Sequence, residues 1–256
     1  DPEGVRVGPD GTIFVSDEYG PRVLAFSPDG TLLRRLPVPA RYNPVVRDGL
    51  EEGELPPHNV KGRQPNRGFE GLAITPDGST LLAFLQSPLI QDGGLDEANE
   101  RIGRFIRVLH VPVTGTVDLV EWVYPMRSAQ FGTNELLHWT GQTYLAIERD
   151  NKEGDKAKAK RVIAADFSRA TNVAALPELP SLKLPPEIVP AEVSTLIDLL
   201  DPAFGLNTPS APMPAKVEGL AWGPTLPDGR RVLIVTTDND FKHDEPSYLW
   251  IFAVRD

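Results

Sequence analysis

The sequence predicts an all-β protein folded as a β-propeller. Two observations carry that reading. One is a recurring unit in which Glu-Gly precedes an apolar run, a Pro-Asp-Gly turn and a second apolar run. It reads "PEGVRVGPDGTIFVSDE" from Pro2, "FEGLAITPDGSTLLAFLQ" from Phe69 and "VEGLAWGPTLPDGRRVLIVTTD" from Val217. Asp-Gly between two short β-rich runs is a strong hairpin signal. The other is that further strand-like runs follow each hairpin. Three or four short strands per unit, repeated every few tens of residues, is the pattern of propeller blades. A sandwich is the rival architecture, but it leaves the recurring Glu-Gly unexplained.

Taken in order, the first unit pairs GVRV with TIFVSDE and continues through RVLAFS and TLLRRLPV. The second pairs GLAI with TLLAFLQ and continues through FIRVLHV and VDLVEWVY. A weaker third copy pairs NELLHW with TYLAIERD and continues through RVIAADF and TNVAAL; Glu135 stands there for the Glu-Gly glutamate. The fourth pairs GLAW with RVLIVTTD and ends on YLWIFAV. Four blades are therefore visible in a single propeller domain over residues 1–256. The first unit begins at its inner strand and the last has no fourth strand. A closing strand from a missing N-terminal portion is expected, with five or six blades in the intact protein.

Two insertions interrupt the pattern. Residues 40–67 are rich in Pro, Gly and charge and read as a long loop over one face. Residues 175–215 are Pro-rich and contain PAEVSTLIDLLDP. There Pro190 suits a first helical turn, and Val193, Leu196, Ile197 and Leu200 fall on one helical face, so a short docked helix is expected. The stretch KEGDKAKAKR, residues 152–161, reads as a solvated turn. Asp10, Asp77 and Asp228 read as turn residues.

Composition narrows the chemistry. The chain has 36 Asp and Glu against 26 Lys and Arg, for a formal charge of −10. That field disfavours nucleic acid and anionic membrane and favours cations. With no cysteine, disulfides, zinc–thiolate sites and thiol catalysis are excluded. No apolar stretch approaches membrane-spanning length.

A hairpin starts and ends on the same side of its sheet. Glu3 and Glu18 therefore belong at one face of the disc, as do Glu70 with Gln86, Glu135 with Glu148, and Glu218 with Asp238 or Asp240. Inner strands line the central channel, so the repeat directs these side chains toward one axial pocket. Crowded carboxylates raise one another's pKa or need a cation. Calcium, which takes six to eight oxygen ligands at roughly 2.3–2.6 Å, suits such a set. Magnesium and manganese are the alternatives. Glu3, Glu70 and Glu218 are the first candidate ligands, and Glu18 and Asp240 the next; Asn239, Asn151 and Gln86 offer neutral oxygens. His58, His110, His138 and His243 sit in unrelated contexts, which argues against zinc. At least one of the three Glu-Gly carboxylates is expected to be structural instead, accepting backbone N–H groups of the next blade.

"DPEGVRVGPDGTIFVSDEYGP", "NRGFEGLAITPDGSTLLAFLQSPL", "YLAIERDN" and "KVEGLAWGP" with "VTTDNDF" resemble, in this order, the phytase-like family described as having the esterase-like activity of phytase. Nearly the whole chain takes part, from Asp1 to Phe252. Members usually carry a further N-terminal stretch with Gly-Leu-Ser-Gly-like and Asp-Arg-like segments, which this chain lacks. The resemblance implies a β-propeller in exported bacterial and related proteins, periplasmic or secreted, hydrolysing esters or phosphoesters.

The resulting expectation is metal-assisted hydrolysis of a small anionic ester, most plausibly a phosphoester. Glu148 is the candidate general base. Arg67, Arg149 and Lys242 are the candidate substrate cations, with Lys216 and His243 nearby. Arg binds phosphate through two parallel hydrogen bonds, which favours the first two. Strand alternation points Arg149 away from wherever Glu148 points. Tyr19 and Phe69 are candidate apolar walls. No Gly-x-Ser-x-Gly elbow is present, so a serine esterase is a poor fit. Two other readings are a non-catalytic calcium-stabilised binding module and a lactonase-like propeller enzyme. The sequence leaves the oligomeric state open.

Overall fold

Each of the four units builds one antiparallel sheet. The computed structural model describes residues 1–45, 52–115 and 118–255. The first sheet is β1 (Pro2–Val7), β2 (Ile13–Asp17), β3 (Arg22–Phe26) and β4 (Leu32–Leu36), paired in that order. The second is β5 (Phe69–Ile74), β6 (Thr80–Leu85), β7 (Phe105–Pro112) and β8 (Glu121–Pro125). The third is β9 (Gly132–Thr140), β10 (Thr143–Arg149), β11 (Lys160–Asp166) and β12 (Glu192–Asp198). The fourth is β13 (Lys216–Thr225), β14 (Arg231–Asp238) and β15 (Leu249–Val254). The arrangement is the predicted four-blade propeller. Inner strands of successive blades lie side by side, β1 against β5, β5 against β9 and β9 against β13.

The turns form as the sequence reads. Asp10, Asp77 and Asp228 each accept a backbone N–H two residues on, at 3.0–3.1 Å. The glycine after each has φ between +71° and +86°, a conformation that penalises any Cβ.

Two expectations for the third blade are corrected. PAEVSTLIDLLDP does not form a helix; its residues 192–198 are β12, the blade's outer strand. TNVAAL is not a strand; it runs along the edge of β8, where Val173 N–H donates to the Glu121 carbonyl. The apolar spacing suited a helix, but Val193, Thr195 and Ile197 are β-branched, and the free edge of β11 supplies a ladder of backbone partners. A register slip opposite Val162/Ile163 lets Leu196 and Ile197 both find cover, which produced the helix-like pattern. Residues 152–161 are also less solvated than their composition suggests. Lys160 lies buried in β11, 3.0 Å from Asp150 and donating to the Asp150 and Ala215 carbonyls.

The run VDLVEWVY begins at Val117, which lies outside the described residues, and its strand starts at Glu121. Within the 40–67 insertion, residues 46–51 lie outside the described residues. The rest is pinned down. Tyr42 is fully buried against Phe69, and Arg63 N–H donates to the Tyr42 carbonyl. Phe69 itself is core, not a pocket wall.

Behind the second blade, fully buried Arg107 pairs with Asp92 at 2.8 Å and with Glu121 at 2.5 Å. It also donates to the carbonyls of Val173 and Leu176. Arg41 donates to the Ala174 and Leu176 carbonyls, and Asp92 accepts Leu179 N–H. Three separate loops are thus tied to one buried ionic knot. The apolar core runs in one cluster through blades one to three, another through blades three and four, and a smaller one beside β7 and β8.

The inner strands meet backbone to backbone. A Cβ on Gly71 would lie 2.5–2.7 Å from backbone atoms of Asn134, Glu135 and Leu136 in the next blade. We expect Gly71→Ala to destabilise the protein by about 1–3 kcal/mol, the usual range for overpacking. Urea unfolding midpoints of the two proteins check this.

Candidate active site

A β-bulge sits at the same place in every inner strand. In β5 the register passes from Phe69↔Leu85 to Gly71↔Phe84, so Glu70 is the extra residue. In β13 it passes from Val217↔Thr237 to Gly219↔Thr236, leaving Glu218 extra. β1 slips between Pro2 and Val5, around Glu3 and Gly4. β9 slips between Thr133 and Leu136, around Asn134 and Glu135. A bulge frees one residue from the ladder and re-aims its side chain. Repeated around the axis, it turns Glu3, Glu70 and Glu218 into one cavity.

That cavity has a volume of about 690 Å³ and a mostly charged lining. Glu3, Glu18, Glu70, Glu218, Asp238 and Asp240 line it, with Arg67, Arg149 and Lys216 among them. Seven of the nine residues predicted to form the site therefore meet here. Glu148 and Lys242 do not line it. Glu148 is fully buried beneath, accepting Arg127 N–H at 3.0 Å and the Tyr124 hydroxyl at 3.3 Å. Strand alternation explains the split, since the next residue, Arg149, faces the cavity. Lys242 lies on the surface, paired with Glu245 at 2.7 Å.

The carboxylates differ in their surroundings. Glu18 and Glu70 are both buried and electrostatically linked. Burial, then the charges of Glu18 and Glu3, holds Glu70 well above the usual carboxylate range. Burial likewise raises Glu18. Glu3, less enclosed, is pushed up to about 7 by partial burial and by Glu18 and Glu218. Glu70 also accepts from Gln86 Nε2 at 2.5 Å and Asn134 Nδ2 at 3.1 Å. Glu218 and Asp240 are already matched, to Arg149 and Lys216 respectively.

The residues present fit a hard cation. Oxygen atoms of Asp1, Glu3 and Glu18 lie within 4.8 Å of one another. Glu18 Oε1 is buried without a hydrogen-bond partner, as an oxygen reserved for a cation would be. The donors are carboxylates and amides only, which selects calcium-like over zinc-like ions.

Arg67 lines the same cavity. It donates to Ser87 Oγ at 2.9 Å and has no ion-pair partner among the described residues. Burial, with repulsion from Arg101 and Arg149, lowers its pKa to about 10, so it stays charged at neutral pH.

Sequence reasoning missed two participants, Asn134 and Asp1, and misplaced Glu135. Asn134 takes the position of the Glu-Gly glutamate in the third blade; aligning Asn134-Glu135 with Glu-Gly would have found it. Glu135 is not at the cavity mouth. It pairs across the channel with Arg6 at 2.8 Å and accepts Leu136 N–H, so the structural role falls to it and not to Glu3, Glu70 or Glu218. Asp1 joins the carboxylates only because the bulge folds the strand end inward, and no motif marks it.

A family model described as phytase-like, with the esterase-like activity of phytase, matches residues 1–241. The chain belongs to this phytase-like family. A curated relative, an uncharacterized secreted protein of Arthroderma benhamiae, is 35% identical over 143 residues, 51% of this chain and 27% of the relative. The match thus spans about a quarter of that relative's length. No helix among the described residues is long and apolar enough to cross a membrane.

The raised carboxylates fix a pH dependence. Between about 4.5 and 7 the folded protein keeps the Glu3 proton that the unfolded chain has released. Raising pH through that window therefore favours unfolding. In chelator, the melting temperature should fall from pH 5 to pH 7.5. Calcium should remove that fall, and scanning calorimetry at both pH values with and without it is the check.

Proposed function

We propose that this phytase-like propeller is a calcium-dependent hydrolase of anionic esters, phosphoesters in particular, acting in the carboxylate-lined cavity. The observation that supports this most directly is that one cavity holds a Glu18 oxygen without a hydrogen-bond partner and an Arg67 guanidinium without an ion pair among the described residues. A phosphoester on a divalent cation would satisfy both at once.

Asp1, Glu3 and Glu18 would hold the ion, with magnesium or manganese as alternatives to calcium. When bound, such an ion supplies a polarised phosphoryl oxygen and a more acidic water. Arg67 binds the non-bridging phosphate oxygens, and Arg149, steadied by Glu218, stands beside it. Glu70, fixed by Gln86 and Asn134, gives up its own proton once a cation offsets the neighbouring carboxylate charges, and then takes the proton from the attacking water. The water oxygen bonds to phosphorus as the ester P–O bond breaks, and Glu70 returns the proton to the departing oxygen as the alcohol leaves. This role replaces the one predicted for Glu148, which lies buried outside the cavity lining. The charged lining favours this reading over a lactonase-like one, which would show more apolar surface and fewer cations. The relative's description as a secreted protein supports a location outside the cytoplasm.

Arg67→Met should lower phosphomonoester kcat/KM by about 100-fold or more, the scale for one charge-assisted donor in an enclosed site. Its calcium affinity should stay within about threefold of the parent. Glu18→Gln should show the reverse emphasis, with calcium affinity falling by an order of magnitude or more. Titration calorimetry and steady-state kinetics on the two variants separate the roles. Turnover that survives chelation would refute the metal mechanism.

A further inference from the structure

The cavity is ionic at its floor, but two aromatic side chains stand at its mouth. Phe241 is one, with its side chain fully exposed. Its backbone is left-handed, φ +56°, and follows Asp240 at φ +53°. This is the tip of a tight turn, closed by Lys242 N–H on the Asn239 carbonyl at 2.9 Å. Turns with both central residues left-handed take Asn-Gly or Asp-Gly, because a Cβ is penalised there. Here the second position carries a large apolar residue in place of glycine. Its ring joins none of the apolar clusters and pairs with no other aromatic ring among the described residues. The position is disfavoured twice over, by backbone and by solvation, with no packing to offset either. Such outliers collect where a ligand is engaged.

The turn is nonetheless well built. Asn239 Nδ2 donates to the Glu245 and Lys242 carbonyls, Phe241 N–H donates to Asn239 Oδ1, and Asp240 is pinned by Lys216. Phe241 is therefore presented by a fixed support.

Tyr19 is the second ring. It lines the cavity, is 45% exposed and is backed by the Arg63 guanidinium, 5.0 Å from the ring centroid. Arg63 is itself buried, paired with Glu54 at 2.5 Å and donating to the Tyr19 carbonyl. The backbone that carries Phe241 is thus held by the turn, and the Tyr19 ring is backed by a buried ion pair.

We infer that Phe241 and Tyr19 form a ring-binding rim that selects esters whose alcohol portion carries an apolar or aromatic ring. The inference rests on the phosphoester reading: the anionic head lies on Arg67 and the cation-binding carboxylates, and the ring projects outward between the two aromatic side chains. The chain would then be a hydrolase of bulky, ring-bearing monoesters, with small alkyl phosphates as poor ligands.

Two unreactive probes test this by calorimetry in calcium buffer: phenylphosphonate and methylphosphonate. The parent should bind the phenyl compound about three- to tenfold more tightly, the scale of aromatic pairing. Phe241→Gly should bind both probes with nearly equal constants, at the parent's methylphosphonate value. Its melting temperature should be unchanged or raised, since glycine suits the left-handed turn. Equal affinities in the parent would overturn the rim alone, leaving phosphoester binding intact. Failure of both probes to bind would overturn the phosphoester reading and the rim together. A melting temperature lowered by more than about 3 °C in Phe241→Gly would assign the ring to the fold and overturn its role in selection.

Discussion

The structure turns on how closely four strand backbones approach at the axis. Gly4 and Gly71 leave no room for a Cβ against the strand of the next blade. The residue before each is released from its ladder by a bulge. These constraints are coupled: the glycine permits the approach, and the bulge turns the preceding side chain out of the crowded seam. Ser16 seals the first seam, accepting Gly4 N–H at 2.8 Å and donating to the Glu70 carbonyl at 3.0 Å. The recurrent Glu-Gly is therefore one device with two parts, a packing half and a chemical half.

Bringing acids together in this way has an electrostatic cost, and the protein answers it unevenly. Glu218 and Asp240 are neutralised internally by Arg149 and Lys216. Glu18 and Glu70 are buried together, with Glu3 and Asp1 beside them. Only this inner group stays charge-hungry above neutral pH. The cavity thus separates into a self-compensated outer wall and an uncompensated floor, and the uncompensated floor is where a cation would gain most. Arg67, without an ion pair among the described residues, stands at the boundary between the two.

Much of this was legible in the residues. Turn chemistry at Pro-Asp-Gly placed the hairpins, and the spacing of hairpins gave the blades. Radial symmetry then carried the glutamates to one place without any knowledge of packing. What was hidden depends on contacts distant in sequence. β12 looked helical because a register slip lets two consecutive apolar residues find cover. Lys160 sat in a run of charge, yet its neighbours Asp150 and Ala215 come from different turns. Glu148 and Arg149 are adjacent, and only the direction of the strand decides which of them meets solvent. Asn134 was obscured by a one-residue offset between a glutamate that looks like the motif and the position that performs its role.

The ionic knot around Arg107 bears on how ligands enter. It fastens the loops of Arg41, Asp92 and Val173 to the second blade, and Tyr42 and Arg63 extend that anchorage to the segment carrying Glu54, Pro65 and Arg67. This side of the cavity is accordingly masonry, not a hinged door. The wall that carries Glu54, Pro65 and Arg67 thereby shares its anchorage with the second blade.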